Sequence, residues 1–262
     1  MTILSTKGLS IGYTLPKGVR KTVMEGIDLE CKAGELTCLL GLNGTGKSTL
    51  LRTLCGILPP LSGTVLAEGR PIGSYSKAEL SKMIGIVLTD RTFTGGITIR
   101  ELVSMGRYPF TDFFGRLKSR DEDVVTAAMQ AVGITGKENE YVSRVSDGER
   151  QKAFIAKALA QECRIIALDE PTAFLDITSR IEVTDLLIDL AHAQGKAVLM
   201  STHDLESAVR NADTLWVQDP ANGCIKCGTP SQLTSEGVFS RIFGPKVGLM
   251  VERALESGKQ AL

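Results

Sequence analysis

The sequence lacks several features that would have assigned it to a class at once. Its net charge is zero, with 30 basic and 30 acidic residues in a chain of 262. That balance argues against a nucleic-acid-binding protein or one attracted to anionic membranes. No apolar run approaches the ~20 residues that a membrane-spanning helix needs. The opening stretch MTILSTKGLSIGY has no long apolar core and no small-residue cleavage site. We therefore expect no signal peptide and a cytosolic chain.

Histidine is scarce, and the cysteines are mostly scattered. With two histidines, neither near a cysteine pair, the sequence offers no four-ligand zinc site around Cys224 and Cys227 of the CIKC segment. We predict that these two form a reduced pair in a late strand or turn. The other four lie singly within apolar patterns, and we expect them to be small core residues. They are Cys31, Cys38, Cys55 and Cys163.

The hydrophobic content of 43% is enough for a substantial core. Short strand patterns such as GELTCLLG and GTVLAEG occupy the first third of the chain, and helical spacing follows in ITIRELVSMGR and DEDVVTAAMQAVG. In the last third, strands alternate with helices. The run IIAL at 165–168 is apolar throughout, as expected for a parallel strand covered on both faces. The pattern predicts an α/β fold with right-handed crossovers.

The segment GLNGTGKST follows an apolar strand, LTCLL, and opens a helical pattern. Strand, glycine-rich loop and helix form the context in which a phosphate-binding loop works, because glycines let successive N–H groups point into one concavity. The helix N-terminus adds attraction for anions. Lys47 can reach the β- and γ-phosphates, and Ser48 can offer its hydroxyl to Mg²⁺. The predicted nucleotide-binding residues are Gly41, Leu42, Asn43, Gly44, Thr45, Gly46, Lys47, Ser48 and Thr49.

Two further segments end buried strands with polar residues. RIIALDEP places Asp169 and Glu170 at the end of an apolar strand, where ligands of open α/β sheets bind. We expect Asp169 to hold magnesium, directly or through water, and Glu170 to act as general base. STHD ends the next strand, so we expect His203 to reach the same edge and bridge the γ-phosphate and the attacking water. His192 is expected on an exposed helix face.

These motifs, in this order, resemble the nucleotide-binding subunit of an ABC transporter from about residue 3 to 235. GLNGTGKST resembles the family's Walker A motif, IIALDE its Walker B motif, and His203 its switch histidine. Tyr13 is similar to the aromatic residue that stacks on adenine. AFLD resembles the loop whose aspartate, here Asp176, crosses to a partner subunit. VSDGERQ, beginning at Val145, falls where the family's LSGGQ signature stands.

The resemblance implies a P-loop NTPase core with an antiparallel β subdomain and a helical subdomain at about 90–160. Residues 236–262 are expected to form a short C-terminal helical extension. It also implies a head-to-tail homodimer that buries two ATP molecules, each with Mg²⁺. In that dimer Ser146 and Gly148 of one chain would cap the ATP held by the Walker A motif of the other.

The sequence departs from the family pattern in two places. A glutamine usually ends the strand before the helical region, whereas IGIVLTD supplies Thr89, whose shorter side chain would need a bridging water or help from Asp90. In the signature, Asp147 replaces the first glycine and Glu149 the glutamine. Because acids repel phosphate, we expect both side chains to point away from it, which leaves binding to Ser146 and backbone N–H groups.

The segment ELVSMGRYPFT resembles a stretch of ATPases that serve importers of iron–siderophore complexes, haem and cobalamin. The aromatic cluster GRYPFTDFF, at 106–114, is open to two interpretations: packing inside the helical subdomain or docking to a membrane subunit. The resemblance implies two polytopic permease subunits, an extracytoplasmic substrate-binding protein, no nucleic acid, and a place on the cytoplasmic face of the inner membrane. Alternatives are an exporter or lipid-transporter ATPase, and a soluble ABC-type ATPase acting on DNA or ribosomes. The stretch from Lys47 to Ser146 lacks the sustained heptads of a long coiled coil, which argues against the chromosome-maintenance members. The sequence also lacks the guanine-reading NKxD motif, which argues against a switch GTPase.

Overall fold

The computed structural model describes residues 1–88, 96–112 and 114–259, with side chains to residue 256. The strands are β1 Thr2–Thr14, β2 Arg20–Ile27, β3 Glu30–Lys32, β4 Leu36–Leu40, β5 Ser62–Ala67, β6 Arg70–Pro71, β7 Ile84–Val87, β8 Ile165–Asp169, β9 Ala197–Thr202, β10 Thr214–Asp219 and β11 Cys224–Gly228. The helices are α1 Lys47–Leu54, α2 Lys77–Met83, α3 Ile99–Ser104, α4 Ser119–Ala131, α5 Asp147–Ala160, α6 Ile177–His192, α7 Leu205–Asn211, α8 Pro230–Ser235, α9 Val238–Phe243 and α10 Pro245–Lys259.

The central sheet has the order β11–β10–β4–β9–β8–β7, parallel except for the β10–β11 pair. Alternate residues of β8 belong to opposite cores. Ile166 and Leu168 pack with the helices α3–α7, and Ile165 and Ala167 pack with α1 and the antiparallel strands. This two-sided burial explains the apolar run and confirms the α/β prediction. The ends of β4, β8 and β9 therefore meet at one edge of the sheet.

The second sheet is antiparallel and has the order β2–β1–β5–β6, with β3 paired to β1. Strand β1 was not among the predicted strands. Its alternation is interrupted, and the pairing with β2 shifts register between Leu9 and Ile11 and again before Gly12. A Cβ on Gly12 would lie 2.1 Å from the carbonyl oxygen of Lys21, so the close approach of these strands requires glycine there. The strand ends by carrying Tyr13 toward α1.

The helices α3, α4 and α5 pack against one another, and α5 contacts β7 of the central sheet. Apolar residues at helical spacing contribute to this packing, among them Leu102, Val125 and Ile155. Each of α3 and α5 begins with a capping box, in which Thr98 pairs with Glu101 and Ser146 with Glu149. The predicted helix over ITIRELVSMGR ends at Ser104, and the chain continues as a 3₁₀ segment, Met105–Phe110.

The chain after β10 contains more helix than its sequence indicated. We expected a short helical pattern, whereas α10 is a 15-residue helix that packs against α7 and α9. Within the described ranges, no helix combines the length and apolar character that crossing a bilayer requires.

The cysteines are free, as expected. The four single ones are buried, and burial raises the pKa of Cys31 to about 11 and that of Cys55 to about 12. These thiols are therefore core residues rather than nucleophiles. Cys224 and Cys227 lie on β11, opposite Asp219 and Trp216 of β10.

Candidate active site

The loop between β4 and α1 is shaped by two glycines that accept no side chain. Gly46 has a φ of 97°, and a Cβ there would lie 2.3 Å from Cγ1 of Val23. A Cβ on Gly41 would lie 2.1 Å from Oε1 of Gln218. Because neighbouring elements approach the loop backbone this closely, the glycine pattern is a packing requirement as well as a conformational one.

Lys47, the first residue of α1, is 5% exposed. Its ammonium group donates hydrogen bonds to the carbonyl oxygens of Gly41 (3.0 Å) and Leu42 (3.2 Å). It also lies 3.4 Å from Oε1 of Glu170. A buried ammonium needs such partners, and these hold Lys47 over its own loop, facing the end of β8. Ser48, the next residue, is half-buried in the first turn of the same helix.

Asp169 and Glu170 are organised by a serine on the neighbouring strand. In the β8–β9 register Asp169 lies opposite Ser201, whose hydroxyl donates to Oδ1 of Asp169 at 2.6 Å. The backbone N–H of Glu170 donates to the same hydroxyl at 2.9 Å and approaches the carbonyl of Ser201 at 3.2 Å. Ser201 is completely buried. One side chain thus fixes both acidic residues, a role that sequence reasoning missed.

Glu170 lies between two nitrogen groups. Its Oε1 faces Lys47, and its Oε2 is 3.3 Å from Nδ1 of His203. Its φ of 48° is in the left-handed region, which is uncommon outside glycine and recurs at functional sites. The structure therefore brings together Lys47, Glu170 and His203, as the sequence predicted, with Asp169 adjacent. A carboxylate fixed in this way can accept a proton from a water molecule at the sheet edge.

Tyr13 contacts the loop from the antiparallel sheet. Its hydroxyl lies 2.7 Å from Oγ1 of Thr49, in the first turn of α1. Tyr13 itself is 40% exposed. The hydrogen bond places the aromatic ring beside the loop. Stacking of this ring on adenine stays a prediction.

Gln218 is a second residue that sequence reasoning missed. It lies at the end of β10, is buried, and contacts Oγ1 of Thr45 and, at 3.7 Å, Sδ of Met24. The Thr45 hydroxyl also donates to the carbonyl oxygen of Leu42 at 2.7 Å. Oε1 of Gln218 faces the Thr45 hydroxyl while its Nε2 donates to Met24, so the single hydroxyl proton of Thr45 serves either Gln218 or the Leu42 carbonyl. The available signal was a polar residue near the end of an otherwise apolar strand, TLWVQD.

Ser146 is the N-cap of α5, and its partners are local. The backbone N–H and the hydroxyl of Ser146 both donate to Oε2 of Glu149, each at 3.0 Å. In return, the backbone N–H of Glu149 donates to Oγ of Ser146 at 3.2 Å. The backbone N–H of Ser146 holds the pKa of Glu149 below its usual value, with support from Lys137. Glu149 therefore folds back onto Ser146. That both acids point away from a bound phosphate stays a prediction.

The other acid of this segment, Asp147, pairs with Arg150 one turn later on α5. Within the described ranges, none of the hydrogen bonds and ion pairs joins Ser146, Asp147 or Glu149 to residues 41–49. The glycine-rich loop and the start of α5 are thus separate features of one chain.

The start of α6 packs against the start of α5. Asp176 caps α6 by accepting hydrogen bonds from the backbone N–H (3.0 Å) and hydroxyl (2.7 Å) of Ser179, and the first of these bonds holds its pKa low. A Cβ on Gly148 would lie 2.5 Å from Oγ of Ser179. Gly148 is therefore required by the contact between the two helix starts. Thr89, the remaining predicted site residue, lies outside the described residues.

The aromatic segment has two kinds of residue. Gly106 and Arg107 are buried, and Arg107 donates to Asp121 (3.0 Å) and to the carbonyl oxygen of Ala160 at the end of α5 (2.7 Å). Tyr108 and Phe114 are 59% and 74% exposed. The half-buried ring of Phe110, 4.0 Å from the Arg107 guanidinium, fits the packing interpretation, and the exposed rings of Tyr108 and Phe114 fit the docking one. Phe113 lies outside the described residues.

A glycine-rich loop before a helix, a buried lysine and an acidic pair at the end of a neighbouring strand together define a P-loop nucleotide hydrolase. The family described as ABC transporter matches residues 24–173. The chain belongs to this ABC transporter family, as the order of its motifs predicted. It is accordingly an ATP-binding and ATP-hydrolysing cassette.

Two relatives and one solved structure show the extent of the similarity. The ferric enterobactin transport ATP-binding protein FepC of Escherichia coli is 39% identical over 90% of this chain and 85% of its own length. The cobalamin import ATP-binding protein BtuD of Halobacterium salinarum is 35% identical over 88% of this chain and 58% of its own. The structure of cbiO1 from Clostridium perfringens, part of the ABC transporter complex cbiONQ, has a TM-score of 0.76 and 29% identity, covering 96% of this chain and 99% of that one.

Proposed function

We propose that this chain hydrolyses ATP, with Glu170 as general base, to drive uptake of an iron chelate through a membrane permease. The observation that carries the catalytic part is the position of the Glu170 carboxylate. Its two oxygens lie 3.4 Å from Nζ of Lys47 and 3.3 Å from Nδ1 of His203, beside the phosphate-binding loop. Proton acceptance from an attacking water requires a carboxylate within reach of both the loop and the water.

Binding of ATP would use the loop at 41–49. Lys47 would exchange its bonds to the loop carbonyls for the β- and γ-phosphates, and the N–H groups at the start of α1 would bind the same anion. Tyr13 would contribute its ring to adenine, in exchange for its bond to Thr49. His203, held against Glu170, would orient the attacking water and contact the γ-phosphate.

The donor set at this edge fits Mg²⁺. The hydroxyl of Ser48 and the carboxylate of Asp169 are hard oxygen ligands, and Mg²⁺ in nucleotide sites is held by one or two carboxylates together with phosphates and water. Ser201 supports this assignment because it orients Asp169 through a 2.6 Å hydrogen bond. Bound Mg²⁺ would supply charge neutralisation at the β- and γ-phosphates. A role for Thr89 in place of the family's glutamine stays a prediction from the resemblance.

The start of α5 would act on a second copy of the chain. Ser146 and the α5 dipole form an anion-accepting helix start, with Gly148 packed against Ser179 beside it, and within the described ranges no hydrogen bond or ion pair ties this start to the chain's own loop. In a head-to-tail dimer this start would cap the γ-phosphate of the partner's ATP. Asp176, which caps α6 beside Gly148, would reach toward the partner from the same face.

The exposed aromatic residues Tyr108 and Phe114 fit a docking surface for membrane subunits. They follow Arg107, which is hydrogen-bonded to Ala160 at the end of α5. A movement of the docked subunit would therefore displace α5, the helix that begins at Ser146. This arrangement supports a peripheral place on the membrane, through two permease subunits. The stretch that resembles importer ATPases, ELVSMGRYPFT, includes Tyr108 and ends before Phe114, and the name of the Escherichia coli relative supports a ferric siderophore as cargo.

A single variant tests the catalytic proposal. Glu170→Gln removes the proton acceptor at nearly constant volume, so ATP binding should persist while turnover falls by a factor on the order of 100 to 10,000. ATP should then hold the variant as a dimer, which sedimentation velocity measures with and without ATP and Mg²⁺. Full turnover in this variant would refute the role of Glu170.

The cargo is tested in cells. Deletion of the gene should abolish uptake of radioiron supplied as a ferric siderophore. The wild-type chain should restore uptake, and Glu170→Gln, expressed at the same level, should not. Unchanged iron uptake in the deletion strain, together with lost cobalamin uptake, would retain the transport function and replace the cargo.

A further inference from the structure

The two acidic residues of the VSDGERQ segment each have a basic partner from their own chain. The carboxylate of Asp147 pairs with the guanidinium of Arg150, and Oε1 of Glu149 lies 3.5 Å from Nζ of Lys137, which precedes α5. The other oxygen of Glu149 is held by the backbone and hydroxyl of Ser146. Two negative and two positive charges therefore surround the start of one helix.

This charge balance matters because the start of α5 attracts two kinds of anion, its own acidic side chains and a phosphate. The positive end of a helix dipole stabilises acidic side chains in the first turn and attracts phosphate for the same reason. Two unpaired carboxylates at that position would satisfy the dipole and repel a phosphate. With both acids paired, an approaching anion meets the first turn of α5 without net negative charge beside it. In the single chain the Ser146 hydroxyl donates to Glu149, and it would turn from that carboxylate to the phosphate when the two chains meet.

We propose that Arg150 and Lys137 are positioning residues that neutralise the acidic signature and so allow the start of α5 to bind the ATP phosphate of a second copy. The proposal rests on the dimer described above. Neither residue needs to contact the phosphate. Each acts through an acid that would otherwise oppose binding.

The two pairs differ in how much they should contribute. Glu149 is fixed by hydrogen bonds from Ser146 and helps to cap the helix, so its charge is already partly satisfied. The side chain of Asp147 is 43% exposed and lies at the first residue of α5, with Arg150 as its ion-pair partner. Arg150 should therefore have the larger effect, and Lys137 the smaller.

The experiment uses the full chain with Glu170→Gln, which holds the ATP-bound dimer. Arg150→Gln is expected to raise the ATP concentration at half-maximal dimerisation about three- to tenfold, a range appropriate to one partly exposed charge. Adding Asp147→Asn to Arg150→Gln should return that concentration to within about twofold of the parent, because no unpaired acid remains. Raising the salt concentration should shrink the Arg150→Gln effect, since exposed charges are screened.

Arg120→Gln is the matched control, because it removes one positive charge from an exposed position of α4. It should dimerise as the parent does. Fluorescent-nucleotide binding to the monomer and thermal melting should be unchanged in Arg150→Gln, which separates loss of the dimer from loss of the loop or the fold.

The outcomes distinguish this inference from the proposed function. A parent that fails to dimerise with ATP would overturn the proposed dimer and this inference with it. A parent that dimerises, with Arg150→Gln equal to it, would overturn the inference alone. A loss in Arg150→Gln that Asp147→Asn does not restore would also overturn it, because Arg150 would then act directly on the phosphate rather than through Asp147.

Discussion

The edge of the central sheet and the start of α5 are built in opposite ways. At the edge, groups from two strands and a helix converge on one another: Lys47 reaches Glu170, Glu170 reaches His203, and Ser201 holds Asp169. At the start of α5 the polar groups are satisfied by residues within a few positions or by the nearby Lys137.

This contrast supports the proposed division of roles, in which the edge binds nucleotide within one chain and the start of α5 contributes when another chain brings a phosphate to it. Loss of a group at the edge should therefore be visible in the monomer. Loss of a group at the helix start should be visible only in the dimer.

The largest expected effect is at the sheet edge. Lys47→Ala removes the buried ammonium that would contact the β- and γ-phosphates, and leaves Glu170 without this partner. ATP affinity of the monomer should fall by a factor on the order of 100, since charge-assisted hydrogen bonds to phosphate are strong. Equilibrium binding of a fluorescent ATP analogue measures this. Affinity within a few-fold of wild type would mean that the loop alone carries binding.

The next effect should fall entirely on the dimer. Ser146→Arg places a bulky side chain where the partner's ATP would approach, so ATP-driven dimerisation in the Glu170→Gln chain should disappear, while monomer affinity should stay within about twofold because the loop is untouched. Ser146→Ala is the control for the loss of the helix cap. This loss should lower the free energy of unfolding by about 1 kcal/mol, which thermal melting measures. If monomer affinity collapsed in Ser146→Arg, the serine would act in its own chain and the contrast between the two regions would be lost.

Ser201→Ala examines how the edge is held together. The backbone N–H of Glu170 loses one acceptor, and the carboxylate of Asp169 loses a donor. Because both are near the buried strand ends, unfolding free energy should fall by about 1–3 kcal/mol. Turnover should fall more than ATP affinity, since the hydroxyl orients the acids and not the loop. Denaturant titration and steady-state kinetics provide the two values, and unchanged turnover would show that the strands alone position Glu170.

The smallest effect is expected beneath the loop. Gln218→Met preserves length and burial but removes the hydrogen bond to Thr45. One neutral hydrogen bond contributes about 1 kcal/mol, so ATP affinity should fall roughly two- to fivefold. Calorimetric titration measures this change, and an equal or tighter affinity would show that packing, not the amide, supports the loop.

Contiguous motifs made much of the edge predictable. Lys47, Asp169, Glu170 and His203 each follow an apolar strand, and parallel strands bring their carboxyl ends to one side of a sheet. Ser201 and Gln218 could not be recognised in the same way. Their partners are distant in sequence and become neighbours only because the strand order is β10–β4–β9–β8.

Other differences arose where local patterns were weak. Strand β1 was not among the strands named from the sequence, and its buried residues do not alternate regularly, in keeping with a pairing that shifts register near Gly12. The length of α10 was underestimated, and its packing on α7 and α9 shows that tertiary contacts sustain it. At the start of α5 the sequence predicted that both acids would turn away from phosphate, but it could not show that Arg150 and Lys137 pair with them.

The chain has a single tryptophan, and its location has a practical consequence. Trp216 is buried in β10, opposite Leu39 of β4 and two residues before Gln218, which contacts the phosphate-binding loop. Its emission comes from one known environment, so intrinsic fluorescence reads out this end of the sheet without a label. We expect titration with ATP to change the intensity or wavelength of that emission in the wild-type chain. Lys47→Ala, which should bind ATP far more weakly, provides the baseline at the same ATP concentrations.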